Sequence, residues 1–332
     1  MKEFKLCGLG NAVVDIFLEV SDSEFASLGF ERGGMRLVGL DEQKMLLDRY
    51  QKHEPKLVSG GSVANSVIAF SQLGGQAAFI GCVGDDRYGL FYTSEFEEIG
   101  IDIGNPVIVN EATGTCVCLI TPDAERTMRT CLAVSSHLAA RHVAAERIRK
   151  SAWLFIEGYV FANPATGQTA ISAAIDIAKK HGTKIALTCS DAFVVDVFGD
   201  AFRAALKQAD LLFCNSAEAC ALAKTSTAEE AFKALNGVVP SIVVTDGPRG
   251  AFVRHGGVEA HVAAFPCEPK DLTGAGDMFA GAFLYGITHD VAPDHAARAG
   301  CFLASKVIAQ IGARLHHGAK RHWDEGLASR AN

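Results

Sequence analysis

The sequence lacks a long hydrophobic run and a strong excess of one charge. No uninterrupted apolar stretch approaches the ~20 residues that a membrane-spanning helix needs. The 332 residues include 31 Lys and Arg against 38 Asp and Glu, a formal charge of −7, which argues against non-specific binding to nucleic acid or anionic membranes. Polar residues and glycine interrupt the first 20 residues, so no signal peptide is predicted. These absences predict a cytoplasmic protein that binds neither nucleic acid nor a membrane.

Paired cysteine motifs are also missing. The ten cysteines are scattered, and only Cys116 and Cys118 lie close together. A C-x-C pair on one strand face is a poor zinc site without a second pair nearby. The pattern therefore favours reduced thiols that pack as small hydrophobic groups.

Common nucleotide-binding loops are absent. The chain contains neither G-x-x-x-x-G-K-[ST] nor H-R-D, so P-loop and protein-kinase chemistry are not expected. Gly8 and Gly10 begin a G-x-G pattern, but residue 13 is Val and the following residues are β-branched rather than helical. The dinucleotide fingerprint therefore fails.

Strand-like and helix-like patterns alternate from Trp153 to Thr245, which predicts a parallel sheet covered by helices on both faces. The β-rich pieces nearer the N-terminus do not alternate with helices and predict one small separate sheet, a lid. Polar clusters follow the predicted parallel strands, where ligands of such sheets bind. The predicted division is a large unit (1–11, 21–34, 40–105 and 131–315), the lid (12–20, 35–39 and 106–130) and a surface tail (316–332).

The stretch from Asp271 to Gly281 is the most informative segment. Gly274, Ala275 and Gly276 precede a helical pattern and would bring backbone N–H groups to a helix N-terminus, which binds anions. Asp277 places a carboxylate beside this predicted anion site. The sequence alone leaves two interpretations of Asp277 open: a general base, or a helix cap.

Phosphoryl transfer accounts for most of the polar clusters, because it needs an anion site, a metal and a base. Asn215 and Glu218 are three residues apart at a predicted helix start and could hold hydrated Mg²⁺ without a closed cage. The alternative is that Glu218 simply favours the helix dipole.

Two separated motifs resemble the ribokinase-like (PfkB) carbohydrate kinase family: the stretch from Gly60 to Asp86, and the stretch from Asp271 to Gly281. The resemblance implies a three-layer α/β/α sandwich with a mostly parallel central sheet and a β-sheet lid. It also implies phosphorylation of a hydroxymethyl group by ATP with Mg²⁺. Asp277 matches the family's catalytic base, and Gly274, Ala275 and Gly276 match its anion hole.

The resemblance also implies roles for other residues. Those matching sugar- or substrate-binding positions are Asn11, Asp15, Gly60, Gly61, Asn65, Cys116 and Glu157. Those matching nucleotide-binding positions are Asn215, Thr245, Gly247, Gly250 and Cys301. Those matching metal positions are Asn215 and Glu218 for water-mediated Mg²⁺, with Asp271 and Thr273 for a monovalent cation such as K⁺.

Within the family, the stretches Gly10–Asp15 and Thr113–Cys116 and the residue Arg126 most resemble adenosine kinases. The implied reaction is phosphorylation of a purine ribonucleoside, above all adenosine, at its 5′-hydroxyl to give AMP. The alternative is a sugar kinase that acts on ribose, fructose or a related sugar. A catalytically silent nucleoside sensor is a third reading, but it has no need for the base at Asp277. The resemblance leaves a monomer and a lid-mediated homodimer both open.

Overall fold

The computed structural model describes residues 2–123 and 125–329. In these residues the strands are β1 (Phe4–Leu9), β2 (Val13–Glu19), β3 (Met35–Leu37), β4 (Lys56–Gly60), β5 (Ala77–Ile80), β6 (Val83–Gly84), β7 (Asp102–Ile103), β8 (Val107–Ile108), β9 (Gly114–Ile120), β10 (Arg126–Cys131), β11 (Ser151–Ile156), β12 (Lys184–Thr188), β13 (Leu211–Asn215), β14 (Ser241–Thr245), β15 (Ala251–His255) and β16 (Val258–Val262). The helices are α1 (Asp22–Ala26), α2 (Leu40–Arg49), α3 (Ser62–Gln72), α4 (Arg87–Ile99), α5 (Ala145–Arg149), α6 (Gly167–Lys180), α7 (Ala192–Val197), α8 (Gly199–Leu206), α9 (Ser216–Ala223), α10 (Ala228–Ala234), α11 (Ala275–Thr288), α12 (Pro293–Ile308) and α13 (Ala319–Ala328).

A nine-stranded sheet forms the centre of the molecule, in the order β16-β15-β14-β13-β12-β11-β1-β5-β7. The strands from β14 to β7 are parallel, and β15 and β16 extend one edge as an antiparallel pair. The sequence pattern did not indicate this pair, because it predicted only strands that alternate with helices. The parallel part places the carboxyl ends of β1, β11, β12, β13 and β14 along one edge, where ligands of such sheets bind.

Alternate residues of the central strands pack into two separate cores. Leu6 and Phe155 belong to the core formed with α3, α11 and α12. Cys7 and Leu154 face the opposite core, formed with α6, α8 and α10. This alternation follows from the two-residue period of a strand that is covered on both faces. The result is a three-layer arrangement with helices on both sides of the sheet.

A second sheet has five strands in the order β3-β10-β9-β2-β4, and we call it the lid sheet. Strands β2, β3 and β10 come from segments that the sequence assigned to the lid. Strand β4, at 56–60, was assigned to the large unit, and that assignment is wrong, because β4 pairs antiparallel with β2. Residues 107–108 were assigned to the lid but pair instead with β6 in a separate two-stranded sheet.

The C-terminal segment is not a solvated surface tail in the described residues up to 329. Helix α13 packs against α12, and Trp323 on α13 is only 2% exposed. The indole is surrounded by apolar groups that include Tyr285. The segment is rich in His, Lys and Arg, and this composition concealed the large apolar side chain of Trp323 that anchors it.

All ten cysteines carry free thiols, as expected, and Cys267 is the exposed one among them. No helix in the ranges 2–123 and 125–329 combines the length and apolar character needed to span a bilayer.

Candidate active site

The turn before α11 presents free backbone N–H groups. Gly274 caps the helix with φ 78°, in the left-handed region that favours glycine, and an added Cβ would lie 2.4 Å from the Ala313 carbonyl oxygen. In the described chain, no acceptor takes the N–H of Gly274 or Gly276, whereas the Ala275 N–H makes a long 3.4 Å bond to the Leu272 carbonyl. Two of the three predicted donors are therefore free at the positive end of a helix dipole, which is suited to a phosphate.

Asp277 follows this turn in the first turn of α11. Its Oδ1 accepts a hydrogen bond from Ser62 Oγ at 2.7 Å, and its Oδ2 accepts one from Asn65 Nδ2 at 3.1 Å. Burial raises the pKa of Asp277 to about 6, and the two hydrogen bonds oppose that rise. The side chain caps no backbone N–H of its own helix and remains partly exposed. The geometry fits a base in a cleft better than a cap.

The predicted acceptor residues meet where β2 and β4 pair. An added Cβ on Gly60 would lie 2.7 Å from Asp15 Oδ2, so the glycine makes room for the carboxylate. Gly61 has φ 111°, and an added Cβ there would lie 2.1 Å from the Asn11 carbonyl oxygen. Burial raises the pKa of Asp15 to about 6, while Arg314 and Arg126 lower it. Asp15 is therefore mostly ionised at neutral pH and can accept hydrogen bonds from sugar hydroxyls.

Asn11 and Glu157 lie behind this surface rather than on it. Glu157 is 1% exposed, and its two carboxylate oxygens accept hydrogen bonds from Asn11 Nδ2 at 2.7 Å and from the Val63 N–H at 3.1 Å. Asn11 Oδ1 accepts a hydrogen bond from Ser135 Oγ at 3.2 Å. Both residues therefore stabilise the end of β1 and the start of α3. Direct contact with a substrate, predicted by resemblance, does not fit this burial.

A row of side chains crosses the lid sheet from polar to apolar. Asp15 pairs with Cys116, Cys116 with Thr130, and Thr130 with Leu37, so the four side chains share one face. Thr130 Oγ1 donates a hydrogen bond to the buried Cys116 thiol at 3.2 Å. Burial and the Asp15 charge raise the pKa of that thiol well above its usual value, so it remains protonated. Cys116 is only 6% exposed, and its contact with a substrate stays a prediction.

A cavity of about 290 Å³ lies between the carboxyl edge of the central sheet and α11. Its walls combine Asp277 and the turn Gly274–Gly276, which we call the anion turn, with residues that follow the parallel strands. Those strand-end residues are Thr188, Ser190, Cys214, Asn215, Glu218 and Thr245. The sequence had placed three of them, Asn215, Glu218 and Thr245, at a nucleotide or metal site, and the structure brings them to one cavity with Asp277.

The loop after β14 is a tight turn outside this cavity. Gly247 has φ 54°, and Gly250 has φ 97° with an added Cβ only 1.9 Å from the Val262 carbonyl oxygen. Cys301 lies in the core on α12 and does not line the cavity. Burial raises the pKa of its thiol to about 12. The structure therefore does not bring Gly247, Gly250 or Cys301 to the cavity wall, and their nucleotide contacts stay predictions.

Asn215 and Glu218 form a capping box at the start of α9. Asn215 Oδ1 accepts from the Glu218 N–H at 2.9 Å, and the Glu218 carboxylate accepts from the Asn215 N–H at 2.9 Å and from its Nδ2 at 2.7 Å. Burial raises the pKa of Glu218 to about 7, with Asp191 and Asp277 adding to the rise. The described residues hold no group of three or more His, Cys, Asp or Glu that could ligate a metal. The pair fits a hydrated Mg²⁺ held with nucleotide phosphates, because each carboxylate oxygen keeps a lone pair.

Asp271 does not fit the predicted monovalent-cation site. Its carboxylate forms an ion pair with Arg126 and accepts the N–H groups of Gly312 at 2.7 Å and Thr273 at 3.1 Å. Burial alone would raise the pKa of Asp271, but these N–H groups and the guanidinium hold it below its usual value. The guanidinium already supplies the positive charge that K⁺ would bring. The Thr273 side chain is exposed.

Sequence reasoning missed two residues of this site. Ser62 was not predicted as a site residue, yet its hydroxyl donates a hydrogen bond to Asp277. Its place directly after Gly60-Gly61 was the available signal. Arg314, whose side chain is 11% exposed, bonds to Asn65 at 3.3 Å. Nothing in the sequence indicated it, because it lies 249 residues from its partner.

Comparisons with known proteins show similarity along most of the chain. A family model described as "pfkB family carbohydrate kinase" matches residues 35–317. The solved structure of an adenosine kinase from Sinorhizobium meliloti is 30% identical, with a TM-score of 0.86, and the match covers 97% of this chain and 99% of that one. The structure of a probable sugar kinase from Rhizobium etli CFN 42 is 30% identical, with a TM-score of 0.87, covering 98% and 100%.

Among sequence relatives, a ribokinase from Haemophilus influenzae is 28% identical over 268 residues, which is 78% of this chain and 84% of the ribokinase. The ribokinase-like α/β fold predicted from the sequence is confirmed by these matches. One of these similar proteins is named as a kinase of a nucleoside, and the other two are named as kinases of sugars.

Proposed function

The chain belongs to the pfkB family of carbohydrate kinases and is a phosphotransferase that acts on an alcohol group, and we propose that it phosphorylates the 5′-hydroxyl of a purine ribonucleoside, above all adenosine, with ATP as donor. The observation that carries the proposal is the position of Asp277, a partly exposed carboxylate with a raised pKa, directly after a turn with free N–H groups. A base and an anion site are two of the parts that phosphoryl transfer to an alcohol requires.

In the proposed reaction Asp277 takes the proton of the acceptor hydroxyl. The hydroxyl oxygen attacks the γ-phosphorus of ATP, the bond from that phosphorus to the β,γ-bridging oxygen breaks, and ADP leaves with both electrons of that bond. The N–H groups of Gly274 and Gly276 stabilise the charge on the moving phosphoryl group. Mg²⁺, held through water by Asn215 and Glu218, would neutralise the phosphate charge. Ser62 and Asn65 orient the base.

A second cavity supports a nucleoside rather than a free sugar as acceptor. It has a volume of about 390 Å³ and lies at the apolar end of the lid-sheet row, where Leu37, Leu40 and Leu132 line it together with Thr130 and His137. Such a mostly apolar space with a few polar groups is typical of sites for flat organic groups. If the ribose of a nucleoside binds at Asp15, its purine would extend along the row toward this cavity. A free sugar has no group that could fill it.

The alternative acceptor is a free sugar such as ribose or fructose. The polar end of the row favours it, because Asp15 can bind sugar hydroxyls without any contact from a nucleobase. The sequence relative named ribokinase is in keeping with this alternative.

A screen of acceptors distinguishes the two. We expect ATP·Mg²⁺ to be converted to ADP with adenosine at a kcat/KM at least ~10-fold above that for ribose or fructose, since loss of buried apolar contact costs that much or more. Leu37→Asp should lower the value for adenosine and leave that for ribose unchanged. Met45→Asp is the matched control, since Met45 is similarly exposed but does not line the cavity. Ribose or fructose ahead of adenosine would favour the sugar-kinase alternative.

The pH dependence should reflect the raised carboxyl pKa values of Asp277 and Asp15. Asp277 must be ionised to accept a proton, so kcat should fall about tenfold per pH unit below pH 6. The value of kcat/KM for the acceptor should fall more steeply, because Asp15 also protonates near pH 6 in the free enzyme. Initial rates from pH 4.5 to 8.5 test this, and a flat kcat across that range would contradict the assignment of the base.

A further inference from the structure

Arg314 lies in the segment between α12 and α13, far in sequence from the other site residues, and its side chain is 11% exposed. We propose that Arg314 is a positioning residue for the acceptor, which fixes the Asn65 amide and the Ser59–Gly61 turn in the orientation that transfer requires. The inference rests on the proposed function and deepens it, because it adds a residue to the part of the same site that binds the acceptor alcohol, which we call the acceptor half.

The guanidinium reaches three elements at once. Its Nε donates to Asn65 Oδ1 on α3 at 3.3 Å, its Nη1 lies 3.3 Å from Glu95 Oε2 on α4, and its Nη2 donates to Ser59 Oγ on β4 at 3.0 Å. The planar fork of an arginine suits this task, because its donors point in fixed directions. A lysine ammonium could supply the charge but not the three directions.

The contact with Asn65 decides which way its amide points. Arg314 only donates hydrogen bonds, so it holds Oδ1, and Nδ2 is then directed to Asp277 Oδ2 at 3.1 Å. Without the guanidinium, the amide could rotate and present its oxygen to the Asp277 carboxylate, which would repel it. Arg314 therefore acts on the base through one intermediate side chain.

The contacts of Arg314 with Ser59 and Glu95 hold the Ser59–Gly61 turn in place. Glu95 Oε2 accepts the Ser59 N–H at 2.8 Å and also the Ser59 hydroxyl, while Arg314 bonds to both side chains. The next residues are Gly60, against Asp15, and Gly61, whose carbonyl accepts the Asn65 N–H at 2.8 Å. The guanidinium thus links the end of β4 to the start of α3.

The same segment supports the anion turn. The Gly312 N–H donates to Asp271 Oδ2 at 2.7 Å, and the Ala313 backbone packs against Gly274. Residues 312–314 therefore contact both the acceptor half of the site, at Asn65 and Ser59, and the anion turn at Gly274. A small displacement of this segment would change the distance between the two reacting groups, and misplacement by ~1 Å can cost ~10²-fold in rate.

Arg314 also affects the charge at Asp15. Arg314 and Arg126 lower the pKa of Asp15, the Asp277 charge raises it, and a hydrogen bond with the Cys116 thiol lowers it. Removing Arg314 should raise the pKa of Asp15. The fall of kcat/KM at acidic pH, its acidic limb, would then move to higher pH. A purely structural role for Arg314 would not move that limb.

The test compares Arg314→Gln and Arg314→Lys with wild type. We expect Arg314→Gln to lower kcat/KM for the acceptor by ~10–100-fold, to leave the KM for ATP within a factor of ~2, and to shift the acidic limb upward. Arg314→Lys should restore the position of the limb but not the acceptor KM. Arg254→Gln is the matched control, since Arg254 is 15% exposed and paired with Glu259 outside the site. Thermal unfolding of each variant checks the fold.

An acceptor KM and pH profile like wild type in a folded Arg314→Gln variant would overturn the inference and leave the proposed function intact. An equal rise in the KM values for acceptor and ATP would also overturn it, because a positioning role on the acceptor side predicts a difference. Absence of transfer by the wild-type protein to every acceptor would instead overturn the proposed function itself.

Discussion

Replacing Asp277 with asparagine is expected to lower kcat by at least ~10² while nucleoside binding survives, because general-base catalysis contributes ~10²–10⁴. Asparagine has the same shape but cannot accept the hydroxyl proton. The NH₂ group of the new asparagine can donate to the Ser62 hydroxyl, which can also accept a hydrogen bond. The carbonyl oxygen of the asparagine can still accept from Asn65. The site geometry should therefore persist. Steady-state rates and calorimetric titration with adenosine measure the two quantities separately.

Asp191→Asn provides the control for this experiment. Asp191 is a nearby carboxylate that caps α7 by accepting the Phe193 N–H at 3.0 Å, and asparagine caps a helix equally well. We expect its kcat to stay within a factor of ~3 of wild type. If Asp277→Asn turned over as fast as Asp191→Asn, Asp277 would not be the base.

The second large effect is expected at Gly276, where proline removes the backbone N–H and alanine keeps it. No atom lies within 4 Å of an added Cβ at this position, so alanine should be tolerated. Proline is accepted in the first turn of a helix. We expect Gly276→Pro to lower kcat by ~10²–10³, the cost of ~2.7–4 kcal/mol measured for loss of one oxyanion-hole donor. Gly276→Ala should retain most of the activity.

The comparison of the two variants isolates the N–H group. Circular dichroism and thermal unfolding establish that α11 is intact in both. Equal rates for Gly276→Pro and Gly276→Ala would show that this N–H does not stabilise the moving phosphoryl group, and the anion site would then have to lie elsewhere.

Local patterns predicted the part of the candidate site whose residues lie close together in the chain. The turn Gly274–Gly276 and Asp277 form one continuous motif, and its anion-binding geometry follows from the helix start that the glycines permit. The strand-end position of Asn215 and Thr245 followed from the alternation of strands and helices. Each of these inferences needed only a few neighbouring residues.

The errors came from pairing between distant segments. Strand β4 looks like any short β-rich stretch, and only its antiparallel register with β2 places it in the lid sheet. Glu157 follows a strand as a substrate residue would, but its partners Asn11 and Val63 are 146 and 94 residues away and hold it in the interior. Arg126 and Asp271, 145 residues apart, form an ion pair that no local pattern could reveal.

We propose that the free N–H groups at the start of α11 and the Asp277 carboxylate together promote transfer of a phosphoryl group from ATP to an alcohol. Phosphorus-31 NMR of the wild-type protein with ATP·Mg²⁺ and adenosine tests it most directly. We expect the ATP signals to be replaced by those of ADP and of a 5′-phosphomonoester, at a rate that depends on adenosine. Inorganic phosphate as the sole new species, or no consumption of ATP with adenosine, inosine, guanosine, ribose or fructose, would contradict it.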